Sequence, residues 1–254
     1  FPEYWQINAL VHGLKCRVFP SIASYRIGHD KVEMTRAFQT VAPEHTPWTL
    51  IEANGPQERD MLWDTMALPF VAKLPKASMG EGVWLIESRA DWLKYCDRTD
   101  VLYVQEYLPI DRDVRVVVVG DQVVTAYWRT QSEQGFYNNV ARGGQIVAGD
   151  VPTAATDLAL RLARELEVDH AGFDIALVEG YPYVLEFNRL FGNQGLGQGS
   201  DLKDAILDYL QRQSRPELLS ALLLACCECQ RPRWRRGSPP SSPTRGCCRR
   251  PATR

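Results

Sequence analysis

Only two of the chain's seven cysteines, Cys16 and Cys96, lie before residue 226, so no disulfide framework can span the body of the protein. Two scattered thiols fit a reducing cytosol. The four histidines (12, 29, 45 and 170) form no cluster with metal-ligand spacing. Without a legible Ser/His/Asp or Cys/His arrangement, nucleophilic hydrolysis is excluded as a leading reading. No secretory signal is legible, and the longest apolar run, Leu218–Cys227, is too short to span a bilayer. Positive charge is also short where it would matter. Eight of the 29 basic residues are arginines beyond residue 230, which leaves 21 against 31 acids in residues 1–230. An acidic body argues against nonspecific nucleic-acid binding. These absences predict a cytoplasmic protein with neither nucleic acid nor membrane as partner.

What remains is ordinary globular material. The 254 residues are 45% apolar and 24% charged, enough for one substantial core or two small ones. Residues 230–254 stand apart. They are rich in Arg, Pro and Ser, hold no acid, and are expected to be disordered. Their cysteines, with Cys226-Cys227-x-Cys229 upstream, lack the paired spacing of a zinc ribbon.

Signals for secondary structure alternate along the body. Asp30 followed by Glu33 resembles a capping box opening a helix to about Ala42. Trp48–Ala53 reads as a strand and Gly55-Pro56 opens a helix to about Ala67. Phe70–Pro75 and Val83–Glu87 read as strands flanking the small-residue loop Ala77–Gly82. Ser88 caps a helix to about Asp97, and Val101–Leu108 returns as a strand. Gly120-Asp121 is a two-residue hairpin signal between Val114–Val119 and Gln122–Thr130. Leu158, Leu162 and Leu166 mark a helix over residues 154–167, and residues 201–211 read as a last helix. Antiparallel hairpins interleaved with helices predict an α+β fold.

The densest chemistry lies in Gly172-Phe173-Asp174-Ile175 and Glu186-Phe187-Asn188, read as two strands joined at Glu179-Gly180. Glu186 and Asn188 share a strand face. An odd loop, such as Glu179–Tyr181, would set Asp174 directly opposite Glu186, with Cβ atoms roughly 5 Å apart. Two carboxylates and an amide oxygen then converge, a hard donor set suited to magnesium and nucleotide phosphates. Taken alone, an amphipathic hairpin with a wet outer face fits equally well.

Upstream residues supply possible anion partners. Lys73 lies in an apolar strand, where a lysine needs an anionic partner such as phosphate. Gly80 and Gly82 follow in a loop whose N–H groups could approach phosphate, although the loop is neither a P-loop nor a dinucleotide fingerprint. Gln105-Glu106-Tyr107-Leu108, at a strand-to-linker junction, suits an adenine slot or an ordinary edge strand. Arg115 and Arg129 occupy paired strands, compatible with one face after a bulge, and either grip phosphoryl oxygens or pair with local acids such as Asp113. The stretch 136–144, with Asn138 and Asn139, ends in Gly143-Gly144 and suits phosphate or carboxylate contacts.

In this order the pieces resemble the ATP-grasp superfamily, most closely its RimK-type glutamate ligase branch, over about residues 25–210. The resemblance implies an ATP-grasp fold, with ATP between two α+β subdomains, and an ATP-dependent carboxylate–amine ligase working through an acyl phosphate. Lys31 and Lys73 would contact phosphates, with Gly80, Gly82, Asn138 and Asn139 also on the nucleotide. Glu106, Tyr107 and Leu108 would hold adenine, and Asp113 the ribose. Asp174, Glu186 and Asn188 would hold two magnesium ions, with manganese as an alternative, while Arg115 and Arg129 act on the transferring phosphoryl group. The partners implied are ATP, a small carboxylate such as glutamate and an amine or peptide acceptor; an oligomer is compatible. Residues 1–29 would be the remnant of a largely missing amino-terminal domain, 30–212 the ATP-grasp domain, and 213–254 a helix and the tail. Tyr137 and Ala141 depart from the family's Arg and His, and Arg189-Leu190-Phe191-Gly192 replaces its small Ser-Ser-Pro-Gly type loop. An inactive nucleotide-binding remnant or a kinase on the same scaffold are the competing expectations.

Overall fold

The computed structural model describes residues 4–76, 82–130, 145–147, 149–191 and 200–214. The chain divides into two compact units, Phe1–Gln211 and Arg212–Arg254, and the account below concerns the first. It opens with α1 (Tyr4–Asn8), one π-helical turn (Ala9–Gly13) and α2 (Ile22–Ile27). Asp30 then caps α3 (Lys31–Val41), its carboxylate accepting the Val32 N–H at 2.7 Å. That satisfies one of the donors every helix start leaves open.

The first sheet is built from β1 (Thr49–Ala53), β2 (Phe70–Lys73), β3 (Val83–Ile86) and β4 (Val101–Glu106), in the antiparallel order β1-β4-β2-β3. Between them lie α4 (Pro56–Thr65) and α5 (Arg89–Cys96), the latter capped by Ser88. Alternate strand residues Phe70, Ala72, Leu102 and Val104 pack with Leu62, Met66, Trp92 and Tyr95 of or beside the helices. The opposite face of the same strands carries Lys73, Tyr103, Gln105 and Thr49, as the period of two requires.

The second sheet orders β5 (Arg112–Val119), β6 (Gln122–Thr130), β7 (Gln145–Val147), β8 (His170–Val178) and β9 (Tyr181–Asn188) as β7-β6-β5-β8-β9. On one face Val114, Val116, Val118, Phe173, Ile175 and Phe187 meet Met34 and Phe38 of α3 and Leu158 and Leu162 of α6 (Thr153–Glu165). Ala23 and Ile27 of α2 join that core. Ser21, at the start of this helix, is tied to the segment just before β8, its N–H donating to Asp169 at 2.6 Å and its hydroxyl to the Glu167 carbonyl at 2.6 Å. A last helix, α7 (Ser200–Ser214), closes the element list.

Gly120 is placed where only glycine is relaxed. It turns the β5–β6 hairpin at φ +61°, and a Cβ there would fall 2.4 Å from the Tyr209 ring. Gly120→Ala is therefore expected to cost about 1–3 kcal/mol in urea unfolding. A variant as stable as the parent would show that turn and ring adapt freely.

Candidate functional site

The face of the second sheet turned away from its core is charged. Asp113 stands opposite Arg129 across β5 and β6, and Arg115 opposite Asp174 across β5 and β8. Arg129 clasps Asp113 with Nε donating to Oδ1 and Nη2 to Oδ2, both at 2.7 Å. Its Nη2 also lies 3.0 Å from Asp174 Oδ2. Arg115 completes the chain, giving Nε to Asp174 Oδ1 and Nη2 to Oδ2 at 3.1 Å. All four residues are between 3 and 8% exposed. The local-acid pairing that the sequence left open is thus present. Burial pushes the Asp113 carboxyl up to about 6 against the pull of Arg129, while Asp113 and Asp174 more than offset burial and hold Arg129 above its ordinary range. Both arginines meet a carboxylate through two N–H groups, the strong bidentate form of such pairs.

Asp174 does face Glu186, by a different route from the odd loop the sequence suggested. The turn has two residues, Glu179 (φ +52°) and Gly180 (φ +83°). Val178 through Ile175 pair with Tyr181 through Val184 in simple register, and a bulge at Leu185 then brings Asp174 opposite Glu186 and Gly172 opposite Asn188. The extra residue keeps Val184 and Phe187 both in the core while Glu186 and Asn188 share the charged face. Gly172 leaves room for Arg115, since a Cβ there would lie 2.9 Å from its Cδ and Nη1.

Glu186 has cations on its other side. Lys31, the first residue of α3, places Nζ 3.5 Å from Glu186 Oε2, and Asn188 Nδ2 donates to Oε1 at 3.2 Å. Burial pushes the Glu186 carboxyl up, but Lys31, Lys73, Asn188 and Arg115 together outweigh it and hold it below its ordinary range. Lys73, at the end of β2, is 8% exposed, and its ammonium has no hydrogen bond or ion pair among the described residues. Burial lowers its ammonium to about 8, with Lys31 adding to the shift while Glu186 and Asp174 oppose it.

Glu106 ends β4, and its carboxylate turns back to accept the Trp48 N–H at 2.7 Å. Tyr107 and Leu108 begin the connection from β4 to β5, the one segment leading directly from the first sheet into the second. Gly82 lies just before β3, and its carbonyl accepts the Leu74 N–H at 2.6 Å, closing the mouth of the loop. Gly80, Asn138, Asn139, Tyr137 and Ala141 fall outside the described residues. Sequence reasoning missed Tyr103 and Thr35, both buried, whose hydroxyls meet at 2.7 Å. Neither carried a signal, since Tyr103 is an ordinary strand aromatic and Thr35 one of several polar residues of α3.

A family model described as the RimK-like ATP-grasp domain matches residues 36–210. The chain belongs to the RimK-like ATP-grasp family. It is 32% identical to a probable alpha-L-glutamate ligase of Citrobacter koseri, over 79% of this chain and 72% of that one. It is 33% identical to the ribosomal protein bS6–L-glutamate ligase of Escherichia fergusonii, over 65% of this chain and 58% of that one. The fold is that of ATP-grasp proteins: a RimK domain protein from Sphaerobacter thermophilus superposes with a TM-score of 0.60 at 21% identity, covering 74% of this chain and 70% of the other. D-alanine–D-alanine ligase from Bacillus anthracis gives 0.60 at 17%, over 76% and 70%. No helix among the described residues is long and apolar enough to cross a membrane.

The residues of this RimK-like face suit a divalent cation in their chemistry. Asp174, Glu186 and Asn188 offer hard oxygen donors, and Glu186 is held ionised. Among the described residues no three His, Cys, Asp or Glu side chains form a group that could hold a metal ion, so a cation held by two carboxylates and an amide would need further oxygen donors.

Two stability predictions follow from the burial. An ionised Lys73 without a close partner costs stability below its folded pKa of about 8, and that cost disappears once pH exceeds the ordinary lysine value of 10.5. Lys73→Met is therefore expected to stabilise the chain at pH 7 by something of the order of 3 kcal/mol, a margin shrinking as pH rises from 8 past 10. Denaturant unfolding at the two pH values checks this, and a constant margin would refute the charge argument. Conversely, Asp113→Ala leaves Arg129 with one carboxylate to share and should destabilise by about 3 kcal/mol or more in the same assay.

Proposed function

We propose that this chain binds ATP against the charged face and uses it to join a carboxylate to an amine. The observation that carries the reading is the opposed pair Asp174 and Glu186 ringed by Arg115, Arg129, Lys31 and Lys73. Lys31 and Lys73 would neutralise the phosphate chain, and the main chain of Glu106 to Leu108 would hold adenine. With both oxygens of Asp113 on Arg129, its part is to fix that guanidinium as well as the ribose contact the family pattern suggests. Asp174, Glu186 and Asn188 would hold magnesium, as two ions or with manganese in its place, which when bound offsets charge on the phosphate oxygens.

A carboxylate oxygen of the substrate attacks the γ-phosphorus, the bond to the bridging oxygen breaks, and ADP leaves with that electron pair. The resulting acyl phosphate is attacked by the amine at the acyl carbon. The tetrahedral adduct expels phosphate and loses the amine's proton, leaving an amide. Arg115 and Arg129 would offset negative charge during the first step, a task of positioning and electrostatics. No nucleophile of the protein is needed, in keeping with its lack of a hydrolase-type arrangement. The names of the relatives favour glutamate as the amino acid and a peptide as acceptor.

The test is phosphate release from ATP that requires both a carboxylate and an amine. Full-length chain that binds ATP and magnesium yet releases no phosphate across a broad amino-acid screen would instead be a nucleotide-binding remnant. Glu186→Gln, which keeps shape and lies outside the bidentate arginine array, is expected to lower magnesium-dependent turnover at least a hundredfold with the unfolding midpoint little changed, whereas Asp174→Asn should lower turnover as far and also lower the midpoint, because Arg115 and Arg129 lose a buried carboxylate. Full activity in both would remove the metal assignment.

A further inference from the structure

The rung of the first sheet nearest the phosphate lysines is built by a side chain. β2 and β4 pair regularly from Phe70 opposite Glu106 to Ala72 opposite Val104. The next pair would be Lys73 and Tyr103, but the hydroxyl of Tyr95, reaching up from α5, lies between them. It accepts the Tyr103 N–H at 2.9 Å and donates to the Lys73 carbonyl at 2.9 Å. The two residues are thereby fixed side by side on the face opposite the α4–α5 core. Tyr103 is 1% exposed, and its ring centroid lies 5.6 Å from Lys73 Nζ. With no ion pair on Lys73 among the described residues, that ring is the group which orients the ammonium.

The other end of Tyr103 leads to the second lysine. Its hydroxyl meets Thr35 Oγ1 at 2.7 Å and lies 3.4 Å from Gln105 Nε2, which itself donates to Thr49 Oγ1 at 2.8 Å. Thr35 is one turn along α3 from Lys31, on the same helix face. At the start of that helix the Lys31 N–H donates to the Pro75 carbonyl at 3.1 Å, two residues beyond Lys73. The same helix also touches β9, where Met34 Sδ accepts the Phe187 N–H at 3.2 Å. One aromatic side chain thus bears on Lys73 with its ring and on the helix of Lys31 with its hydroxyl.

We propose that Tyr103, through Thr35, is a positioning residue that sets the spacing of Lys31 and Lys73 and so the grip on a nucleotide's phosphate chain. This rests on the ATP-binding reading above. Tyr103 touches no phosphate itself. Its ring places one cation, and its hydroxyl ties the helix bearing the other to the sheet.

The test is equilibrium binding of ATP with magnesium, and of adenosine by competition, to the full chain. Tyr103→Phe and Thr35→Val each remove one half of the same hydrogen bond. Each is expected to weaken ATP about fivefold, and the double variant no further, because one interaction is lost in all three. Tyr103→Leu, which also removes the ring under Lys73, should weaken ATP about thirtyfold. Adenosine, which carries no phosphate, should bind all four variants as it binds the parent. Equal weakening of ATP and adenosine would make Tyr103 a merely structural residue and overturn the proposal, as would unchanged ATP affinity in Tyr103→Phe and Thr35→Val. A parent chain that binds neither compound would sink the nucleotide reading itself, and this proposal with it.

Discussion

Carboxylates held face to face repel one another, and the second sheet is arranged around that constraint. Asp174, buried, and Glu186, partly exposed, oppose each other across β8 and β9, with buried Asp113 a short way along the same face. Three carboxylates so close together demand cations, and four are supplied from three directions. Arg115 and Arg129 come from the neighbouring strands, Lys31 from the start of α3, and Lys73 from the other sheet. The excess of one positive charge is small, and it resides on a lysine without an ion-pair partner among the described residues. A polyanion accompanied by its own divalent cation would meet this face with charge nearly balanced. On the function proposed above, such a ligand would offset the cost of a buried lysine that the ion pairs of the array leave uncompensated.

The same sheet must also fold, and the alternation of strand side chains divides the two duties. Val114, Val116, Phe173, Ile175 and Phe187 belong to the core, while Asp113, Arg115, Asp174 and Glu186 interleave with them on the charged side. A strict period of two would have separated Glu186 from Asp174 by one register step once the turn closed on two residues. The bulge at Leu185 absorbs the mismatch, so that turn geometry, core packing and carboxylate pairing hold together. Gly172 contributes from the side, because the stem of Arg115 passes where any Cβ would stand.

Much of this was legible in the residues. The Gly120-Asp121 turn, the Asp30 and Ser88 caps and the leucine spacing of α6 are local signals, and local physics decides them. The pairing of Asp174 with Glu186 was legible in outcome but not in cause, since a turn of two residues with a bulge and a turn of three give the same pair. Arg115 and Arg129 could be placed on one face from strand period, whereas their partners could not be chosen between a ligand and local acids. Tyr103, Thr35 and Tyr95 left almost no trace. Each reads as an unremarkable member of its own strand or helix, and only the meeting of α3, α5, β2 and β4 gives them partners. The contribution of α2 was hidden for the same reason: Ala23 and Ile27 have no strong helix pattern, and Asp169, which anchors Ser21, lies 148 residues away.

The segment after Asn188 sets a limit on how far the family's chemistry carries over. Where the pattern has small residues, Arg189 stacks its guanidinium 4.6 Å from the Tyr25 ring and Phe191 stacks on His170 at 5.0 Å. Phe19 closes against the same histidine edge-on at 5.4 Å. His170, Gly172 and Asp174 share one strand face, so this aromatic group begins on the charged face, roughly 13 Å along β8 from Asp174 at the usual rise per residue. The charged end and the aromatic end therefore differ in kind. Electrostatics governs the first, where carboxylates face guanidinium and ammonium groups. Shape and ring stacking govern the second. On the function proposed above, substitution at the aromatic end would leave the Asp113–Arg129–Asp174–Arg115 array in place, so that activation and the choice of the molecule activated would rest on separate side chains.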